Sequence, residues 1–524
     1  MAYNFPAIIH RIDSNLIALD ACRLLGLDHI RPDLALEAFT KDSDNSGEHD
    51  EETVNFQGGM GNNYERLEFL GDCFLKMATT ISLFTLAPDL NEADSHVERM
   101  LLICNRNLLN NALEVKLAEY VRSMAFNRRS WYPEGLVLKR GKRTEAKRRH
   151  LLADKSIADV CEALIGAAYL TGQERDKSFD MAVQAVSAVV QDKNHNMKTY
   201  SEYYAAYQPP KWQTAPPSII QQDMADRFHP RLGYRFRHPQ LLRSAFHHPT
   251  YPSSYENLPS YQRLEFLGDA LLDMACVDHL FRRFPGADPQ WLTEHKMAMV
   301  SNQFLGCLGF VLGFHQSILS LGAVQDELAV YVRDMTDALQ LAKEEATAAG
   351  RPEADFRRSF WVEVKRAPKC LPDVVEAYVG AMFVDSGYDY ATVQDFFDRH
   401  VKPWFEDMRL YDAYATNHPV NQLQSTMKAK FGCGDCRLLV KETGVPTAGE
   451  EEGGWGGRLQ EVICGVMVHG QVLASAVAES SRYAKIAAAK NAMKALEGFG
   501  VDGFRGRYGC GCAGEDDDKV MEDV

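Results

Sequence analysis

Arg66-Leu67-Glu68-Phe69-Leu70-Gly71-Asp72 and Arg263-Leu264-Glu265-Phe266-Leu267-Gly268-Asp269 are one heptapeptide written twice, 197 residues apart. Each copy sets two carboxylates at i and i+4, which a helix brings to one face, a single turn apart. Paired acids on an otherwise apolar helix face are costly unless a cation sits against them. Two such copies point to two versions of one metal-dependent site.

The repetition runs beyond the heptapeptide. Ile103-Cys104-Asn105-Arg106 follows the first copy and Val300-Ser301-Asn302-Gln303 the second. Later come Asp154-Lys155-Ser156-Ile157-Ala158-Asp159-Val160-Cys161-Glu162-Ala163 and Pro368-Lys369-Cys370-Leu371-Pro372-Asp373-Val374-Val375-Glu376-Ala377. Asp159 lies 87 residues after Asp72, and Asp373 lies 104 after Asp269. The stretch 341–358, LAKEEATAAGRPEADFRR, reads as an insertion that absorbs the difference. The shared order indicates an internal duplication of a helical domain.

The second acid pair of each half is spaced i, i+3, again one helix face. One half thus offers Glu68, Asp72, Asp159 and Glu162, the other Glu265, Asp269, Asp373 and Glu376. Two packed helices would converge each set of four. Hard oxygen donors without imidazole or thiolate suit Mg²⁺ or Mn²⁺ rather than zinc. Such a site favours phosphoryl transfer, one metal activating water and another stabilising the leaving oxygen. A lone E-x-x-x-D is ordinarily a solvated, lysine-paired face, but that does not explain four acids repeated in the same context. Lys155 and Lys369 precede the second pairs. They are candidates for contacting phosphate or orienting a carboxylate, against the plain alternative of a solvated lysine. Asn105 and Asn302 are expected to hydrogen-bond within the helix pair.

The length of 524 residues implies three or four domains. Hydrophobic content of 46% and charged content of 25% are ordinary for a globular protein. No apolar run reaches the roughly 20 residues of a membrane span, and the start lacks a basic-then-apolar secretory pattern. Cys73, Cys161, Cys276 and Cys307 lie in apolar helical patterns and read as buried thiols in a reducing compartment. The net charge of −15 alone argues against nucleic-acid binding. Charge is segregated, however. Leu138 to His150, LKRGKRTEAKRRH, holds seven basic residues and one acid, while Glu515 to Val524 is an acidic end that reads as solvated.

Ile8, Ile9, Ile12, Leu16, Ile17, Ala21, Leu24 and Leu25 predict one apolar helix face within the first forty residues. Residues 41–63 read as a polar loop. Helical patterns then run to 191, a stretch with Pro209, Pro210, Pro216 and Pro217 reads as a linker, and a second helical block extends to about 410. Beyond 415 the texture changes. A helix over Val420–Phe431 precedes strands at Cys436–Glu442, Gln460–His469 and Val472–Ala478, and Ser480–Gly498 is a helix rich in Ala and Lys. The order is α-β-β-β-α.

The string Tyr64-Glu65-Arg66-Leu67-Glu68-Phe69-Leu70-Gly71-Asp72, with the later Asp159-Val160-Cys161-Glu162-Ala163, resembles the ribonuclease III family. Two such domains followed by the α-β-β-β-α module resemble the C-terminal part of Dicer and of fungal Dicer-like proteins. The resemblance implies a mainly α fold of two all-helical ribonuclease III domains, paired as an intramolecular pseudo-dimer, then a small double-stranded RNA-binding domain. On this reading residues 1–40 hold connector helices and the start of the first domain. Residues 41–191 are ribonuclease III domain a, 192–221 the linker and 222–410 domain b. The RNA-binding domain occupies 416–500, and 501–524 a Cys-x-Cys segment and the acidic tail.

It further implies that the eight acids bind Mg²⁺ or Mn²⁺ and cleave double-stranded RNA, one strand per domain, leaving 3′ overhangs and 5′ phosphates. The implied setting is RNA silencing and antiviral defence by a monomeric intracellular protein, cytoplasmic or nuclear. Double-stranded RNA and silencing-complex proteins would be its partners, and no membrane. The competing reading is a non-catalytic RNA-binding scaffold, which has no reason to keep eight mutually repelling acids.

In the last domain the resemblance places RNA contacts at Arg482, Lys485 and Lys490. Ser481 stands where the family's first lysine is expected, so one charge is missing and binding should be weaker and less salt-sensitive. Two departures concern the second copy. Gln262 replaces the acid found as Glu65, a position expected to be structural, and Pro372 is tolerated if it lies in a first helical turn.

Cys433, Cys436, His469, Cys510 and Cys512 come from distant segments, and four such ligands make a structural zinc site. The resemblance to fungal Dicer-like proteins gives Cys433, His469, Cys510 and Cys512 as ligands. Cys436 in place of His469 stays open, as do unrelated free thiols. No G-x-x-x-x-G-K-[ST] loop occurs, and no length is left for an end-binding domain, both of which full Dicers carry. The chain is therefore expected to be a fragment, an engineered form or a truncated family member that measures product length poorly.

Overall fold

The computed structural model describes residues 4–41, 62–123, 126, 152–252, 255–353, 355–364, 367–412, 419–443, 461–478 and 481–512. The predicted loop at 41–63, the basic run at 138–150 and the acidic tail fall wholly or almost wholly outside these residues. The chain divides into two compact units, Met1–Asp407 and Met408–Val524.

In the first unit, α1 (Phe5–Leu24), α2 (Pro32–Ala38), α3 (Glu65–Leu86), α4 (Glu92–Ile103), α5 (Asn105–Glu114), α6 (Asp154–Arg175) and α7 (Asp180–Val190) make one half. Two short helices follow, α8 (Ser201–Ala206) and α9 (Lys211–Thr214). The other half holds α10 (Ile219–Leu232), α11 (Pro239–Ala245), α12 (Gln262–Arg283), α13 (Pro289–Met299), α14 (Asn302–Val311), α15 (Ala323–Ala348), α16 (Cys370–Ser386) and α17 (Tyr390–Phe396). Helices α3 and α12 begin and end at equivalent residues of the repeat. Local chemistry sets the next starts. Asn91, Asp288 and Ser301 cap α4, α13 and α14 by accepting backbone N–H groups, and Pro289 sits where α13 needs no N–H donor.

In each half, the two acid-bearing helices meet at glycines. A Cβ on Gly71 would fall on the Glu162 carbonyl oxygen, and one on Gly166 on that of Leu67. Gly268 and Gly380 repeat the arrangement against Glu376 and Leu264. Only a residue without a side chain lets the backbones come this close, so the glycine of the heptapeptide brings α3 onto α6 and α12 onto α16.

Helix α3 also packs against α12, and the two run antiparallel. Arg66, in the first turn of α3, donates to the carbonyls of Phe281, Phe284 and Ala287 at the far end of α12. Arg263 does the same in return, to Phe84, Ala87, Pro88 and Leu90 beyond α3. Each guanidinium lies over a phenylalanine ring, Arg66 on Phe281 and Arg263 on Phe84. Both arginines thus satisfy helix-terminal carbonyls that have no partner inside their own helix.

Several expectations need correction. Helix α1 forms, but Ile8, Ile12, Leu16 and Leu24 face outward, while Ser14, Ala18, Ala21 and Cys22 are buried. The small residues allow close packing, and that outweighs the larger apolar face. The supposed linker is built: Tyr203 is fully buried, with its hydroxyl 2.6 Å from His195, and Tyr207 packs on both Phe84 and Tyr388. Residues 341–348 of the stretch read as an insertion are helical, the end of the long helix α15, which leaves that reading as it stood. Helix α3 is apolar enough by composition to cross a membrane, yet 78% of the relevant window is buried in the fold, so it is a core helix.

The second unit starts with α18 (Pro419–Phe431). An antiparallel sheet follows, β1 (Cys436–Thr443), β2 (Glu461–Val468) and β3 (Gln471–Ala478), in that order, and then α19 (Ser481–Leu496) and α20 (Val501–Tyr508). Val462, Cys464, Val466 and Val468 alternate inward along β2, as a half-buried strand requires. Ala484, Ala488 and Ala492 let α19 lie close on the sheet. His469 and Gly470, both with positive φ, form the two-residue turn between β2 and β3. Helix α20 was not anticipated. Phe504 stacks on Phe431 at 4.3 Å and anchors it, and Gly509 ends it in the left-handed conformation.

Candidate metal centres

Three carboxylates converge in each half of the first unit. Ligand oxygens of Glu68, Asp159 and Glu162 lie within 4.8 Å of one another, and so do those of Glu265, Asp373 and Glu376. Each trio has the same attendants. Lys155 Nζ is 2.8 Å from Asp159 and 3.5 Å from Glu68, and Lys369 Nζ is 3.1 Å from Asp373 and 3.2 Å from Glu265. Tyr64 and Tyr261 donate their hydroxyls to Asp159 and Asp373 at 3.3 and 3.0 Å. Both lysines therefore contact carboxylates.

Asp72 and Asp269, one turn beyond Glu68 and Glu265, lie outside the trios. They act on them electrostatically, as the strongest like charges felt by Glu162 and Glu376 respectively. The expected convergence of four equal ligands is thus three plus one. Their surroundings differ. Asp269 pairs with Lys76 of α3 at 2.9 Å, whereas Asp72 makes no ion pair among the described residues.

Burial drives these acids toward protonation, reinforced by like charge at Glu68, Glu162, Glu265 and Glu376 and opposed by nearby lysines at Asp72 and Asp373. Glu162 is pushed up to about 9 and Glu265 to about 8, and Glu68, Asp72, Asp373 and Glu376 are all raised. Glu265 Oε2 is buried without a hydrogen-bond partner. A divalent cation would answer both the crowding and the orphaned oxygen, and an all-oxygen donor set suits Mg²⁺ or Mn²⁺. The residues present fit such an ion.

The departures of the second copy are accommodated. Gln262 donates to Glu92 of the first half at 2.7 Å. Pro372 lies in the first turn of α16. Asn105 and Asn302 instead open α5 and α14 at the surface. The expected helix-tying bonds come from Asn107 and Asn111, which donate to the Val189 and Val190 carbonyls.

In the second unit, Cys433, His469, Cys510 and Cys512 bring three sulfurs and an imidazole nitrogen within 4.8 Å of one another. His469 Nε2 is 3.3 Å from Cys433 Sγ and 3.6 Å from Cys512 Sγ. Its Nδ1 faces Asp435 at 3.5 Å, where a carboxylate would orient the ring if Nε2 held a metal. Sequence reasoning missed Asp435, although it sits between the two cysteines of the C-x-x-C. Cys436 lies apart, on β1 against the domain core. The donor set suits zinc. Lys485 and Lys490 are exposed on α19; the Arg482 side chain is outside the described residues.

Comparison with known proteins gives the class. Residues 65–173 and 262–387 each match the ribonuclease III domain, and residues 411–498 match a dsRNA binding domain. Two acid-lined ribonuclease III domains and an RNA-binding module in one chain define a double ribonuclease III protein. Similar proteins are found in fungi. The chain is 64% identical over 541 residues to Dicer-like protein 1 of Chaetomium globosum, covering 100% of this chain and 33% of that protein. The corresponding values for the Dicer-like protein 1 of Neurospora crassa are 61% over 524 residues, 97% and 33%, and for that of Pyricularia oryzae 55% over 520 residues, 99% and 32%. The chain belongs to the family of fungal Dicer-like proteins and spans about a third of the length of these relatives.

Proposed function

We propose that the chain is a Mg²⁺- or Mn²⁺-dependent endoribonuclease that cuts both strands of double-stranded RNA, one in each ribonuclease III domain. The observation that carries this reading is the carboxylate trio built twice, each time with its own lysine and tyrosine. Bound divalent metal would supply an activated water and charge stabilisation at the leaving oxygen. The chain's own residues do the rest. Glu68, Asp159 and Glu162, with Asp72 beside them, present oxygens in one site. Glu265, Asp373 and Glu376, with Asp269, do so in the other. Lys155 and Lys369 hold two acids of each trio in place, and their side chains are exposed enough to meet backbone phosphate as well.

The two domains act as an intramolecular pseudo-dimer through the α3–α12 contact, with domain bounds near 41–191, 222–410 and 416–500. The products are short duplexes with 3′ overhangs and 5′ phosphates that serve RNA silencing and antiviral defence inside the cell, passed on to silencing-complex proteins. Arg482, Lys485 and Lys490 add RNA affinity from the last domain. Cys433, His469, Cys510 and Cys512 hold a structural zinc that ties the segment after α20 to the β2–β3 turn.

The test is incubation of the chain with a duplex labelled on both strands, in Mg²⁺. Two cuts are expected, and RNA bound but intact would overturn the reading in favour of the scaffold. For zinc, elemental analysis should find about one ion per chain for a single four-ligand site. Cys510→Ser should lose it and lower the unfolding temperature of the second unit, while Cys436→Ser should keep it.

A further inference from the structure

Lys76 on α3 and Asp273 on α12 occupy the same position of the 197-residue repeat, and they pair with each other at 3.0 Å. A residue that touches its own repeat equivalent lies where the two antiparallel helices cross. Two identical domains would place like charges against each other at that crossing, which is costly out of water. Here the crossing holds one charge of each sign.

The charges continue unevenly into the two sites. Lys76 reaches on from Asp273 to Asp269 at 2.9 Å. Lys296 of α13 supports Asp273 at 3.0 Å. Its repeat equivalent, Arg99 of α4, is spent elsewhere: it donates to Thr80 at 2.9 Å and lies over the Phe266 ring. Asp72, in the other site, makes no ion pair among the described residues and feels the Lys296 ammonium and the Asp273 carboxylate only at longer range, whereas Asp269 is paired directly with an ammonium. A charged side chain that fixes a carboxylate from outside a metal site tunes how well that carboxylate can ligate.

We propose that Lys76 is a positioning residue for the second carboxylate site, supplied to Asp269 by the first domain, and that the charge reversal at this one repeat position makes the two sites unequal. The proposal rests on the endonuclease reading. It concerns how the sites differ, and its failure is separable from failure of that reading.

Mn²⁺ binding to the intact chain, followed by electron paramagnetic resonance without RNA, provides a readout that does not depend on cutting. Asp72→Ala and Asp269→Ala identify which binding class and which strand cut belong to each site. Lys76→Met should weaken the Asp269-linked class by about tenfold, the usual consequence of losing a partner that orients a ligand. It should slow the matching cut similarly and leave the other class and cut in place, and Lys76→Arg should restore both. The paired exchange Lys76→Asp with Asp273→Lys keeps opposite charges at the crossing but presents the ammonium to Asp72, so the asymmetry should invert. Tighter Mn²⁺ binding in Lys76→Met would make the lysine a mere competitor of the cation and overturn the proposal. Equal effects on both sites, or loss of folding in both variants, would also overturn it by leaving Lys76 a structural role alone. Absence of any cutting by the unaltered chain, with Mn²⁺ classes still affected as described, would sink the endonuclease reading and spare this one.

Discussion

The two ribonuclease III domains keep some positions identical and let others diverge, and the division follows what each residue touches. Glycine, arginine, tyrosine, lysine and the acids recur wherever a side chain meets backbone or the clustered carboxylate oxygens: Gly71 and Gly268, Arg66 and Arg263, Tyr64 and Tyr261, Lys155 and Lys369. Divergence appears where one half meets the other's side chains. Lys76 faces Asp273, and Gln262, standing where Glu65 stands in the first copy, donates to Glu92. Backbone geometry is common to both halves and demands the same residue twice. A side-chain contact across a symmetric crossing demands two different ones.

The largest effects should come from removing one acid. Asp72→Ala and Asp269→Ala should each slow one strand's cut by about a thousandfold, within the range for losing a positioned catalytic group, and leave the other strand nicked. Loss of both cuts from either change would mean that the domains do not act separately. Next come the glycines. Gly71→Ala and Gly268→Ala force a methyl group onto the carbonyl oxygen of Glu162 or Glu376, and overpacking against rigid backbone should cost about 3 kcal/mol in denaturant unfolding. If one glycine proves dispensable, the helix pairs are less alike than described.

The reciprocal arginines test the symmetry more gently. Arg66→Ala and Arg263→Ala should each cost about 2 kcal/mol, the scale of charged hydrogen bonds left unmade, and by similar amounts.

The metal-free protein should also show a pH dependence. Glu162 and Glu265 ionise near 9 and 8, against an ordinary value of 4.5, because burial and neighbouring acids oppose their charge. A carboxyl with a raised folded value stabilises the fold below the unfolded value and ceases to do so as pH climbs through the folded one. Metal-free protein should therefore lose stability between about pH 5 and 9. Mg²⁺, which needs the ionised form, should stabilise more as pH rises. Melting in chelator and in Mg²⁺ across that range measures the gap, and a constant gap would contradict it.

The repeat was legible because it is local: acids at i, i+4 and i, i+3 share a helix face whatever the tertiary structure. Ligand chemistry narrowed the zinc candidates to Cys433, Cys436, His469, Cys510 and Cys512, because few residue types can serve, and the resemblance to fungal Dicer-like proteins singled out the four that the structure brings together. What escaped was set by distant partners. Nothing beside Lys76 reveals that Asp273 will lie against it. The outward turn of Ile8, Ile12 and Leu16 depends on which face of α1 the rest of the fold leaves room for. The prolines at 209–217 mark a linker, and nothing in its sequence reveals that Tyr203 and Tyr207 on its near side pack against the fold. Helix α20 is short, and it is held by the Phe504–Phe431 stack rather than by any periodic pattern.

The crossed arginines have a consequence for how such a duplicated protein can change over time. Arg66 and Arg263 grip main-chain oxygens at residues 281–287 and 84–90, not the side chains found there. Every amino acid brings the same carbonyl. Apart from the two phenylalanines under the guanidinium groups, those helix ends can mutate without loosening the grip, so the halves are free to drift apart in sequence while staying clasped.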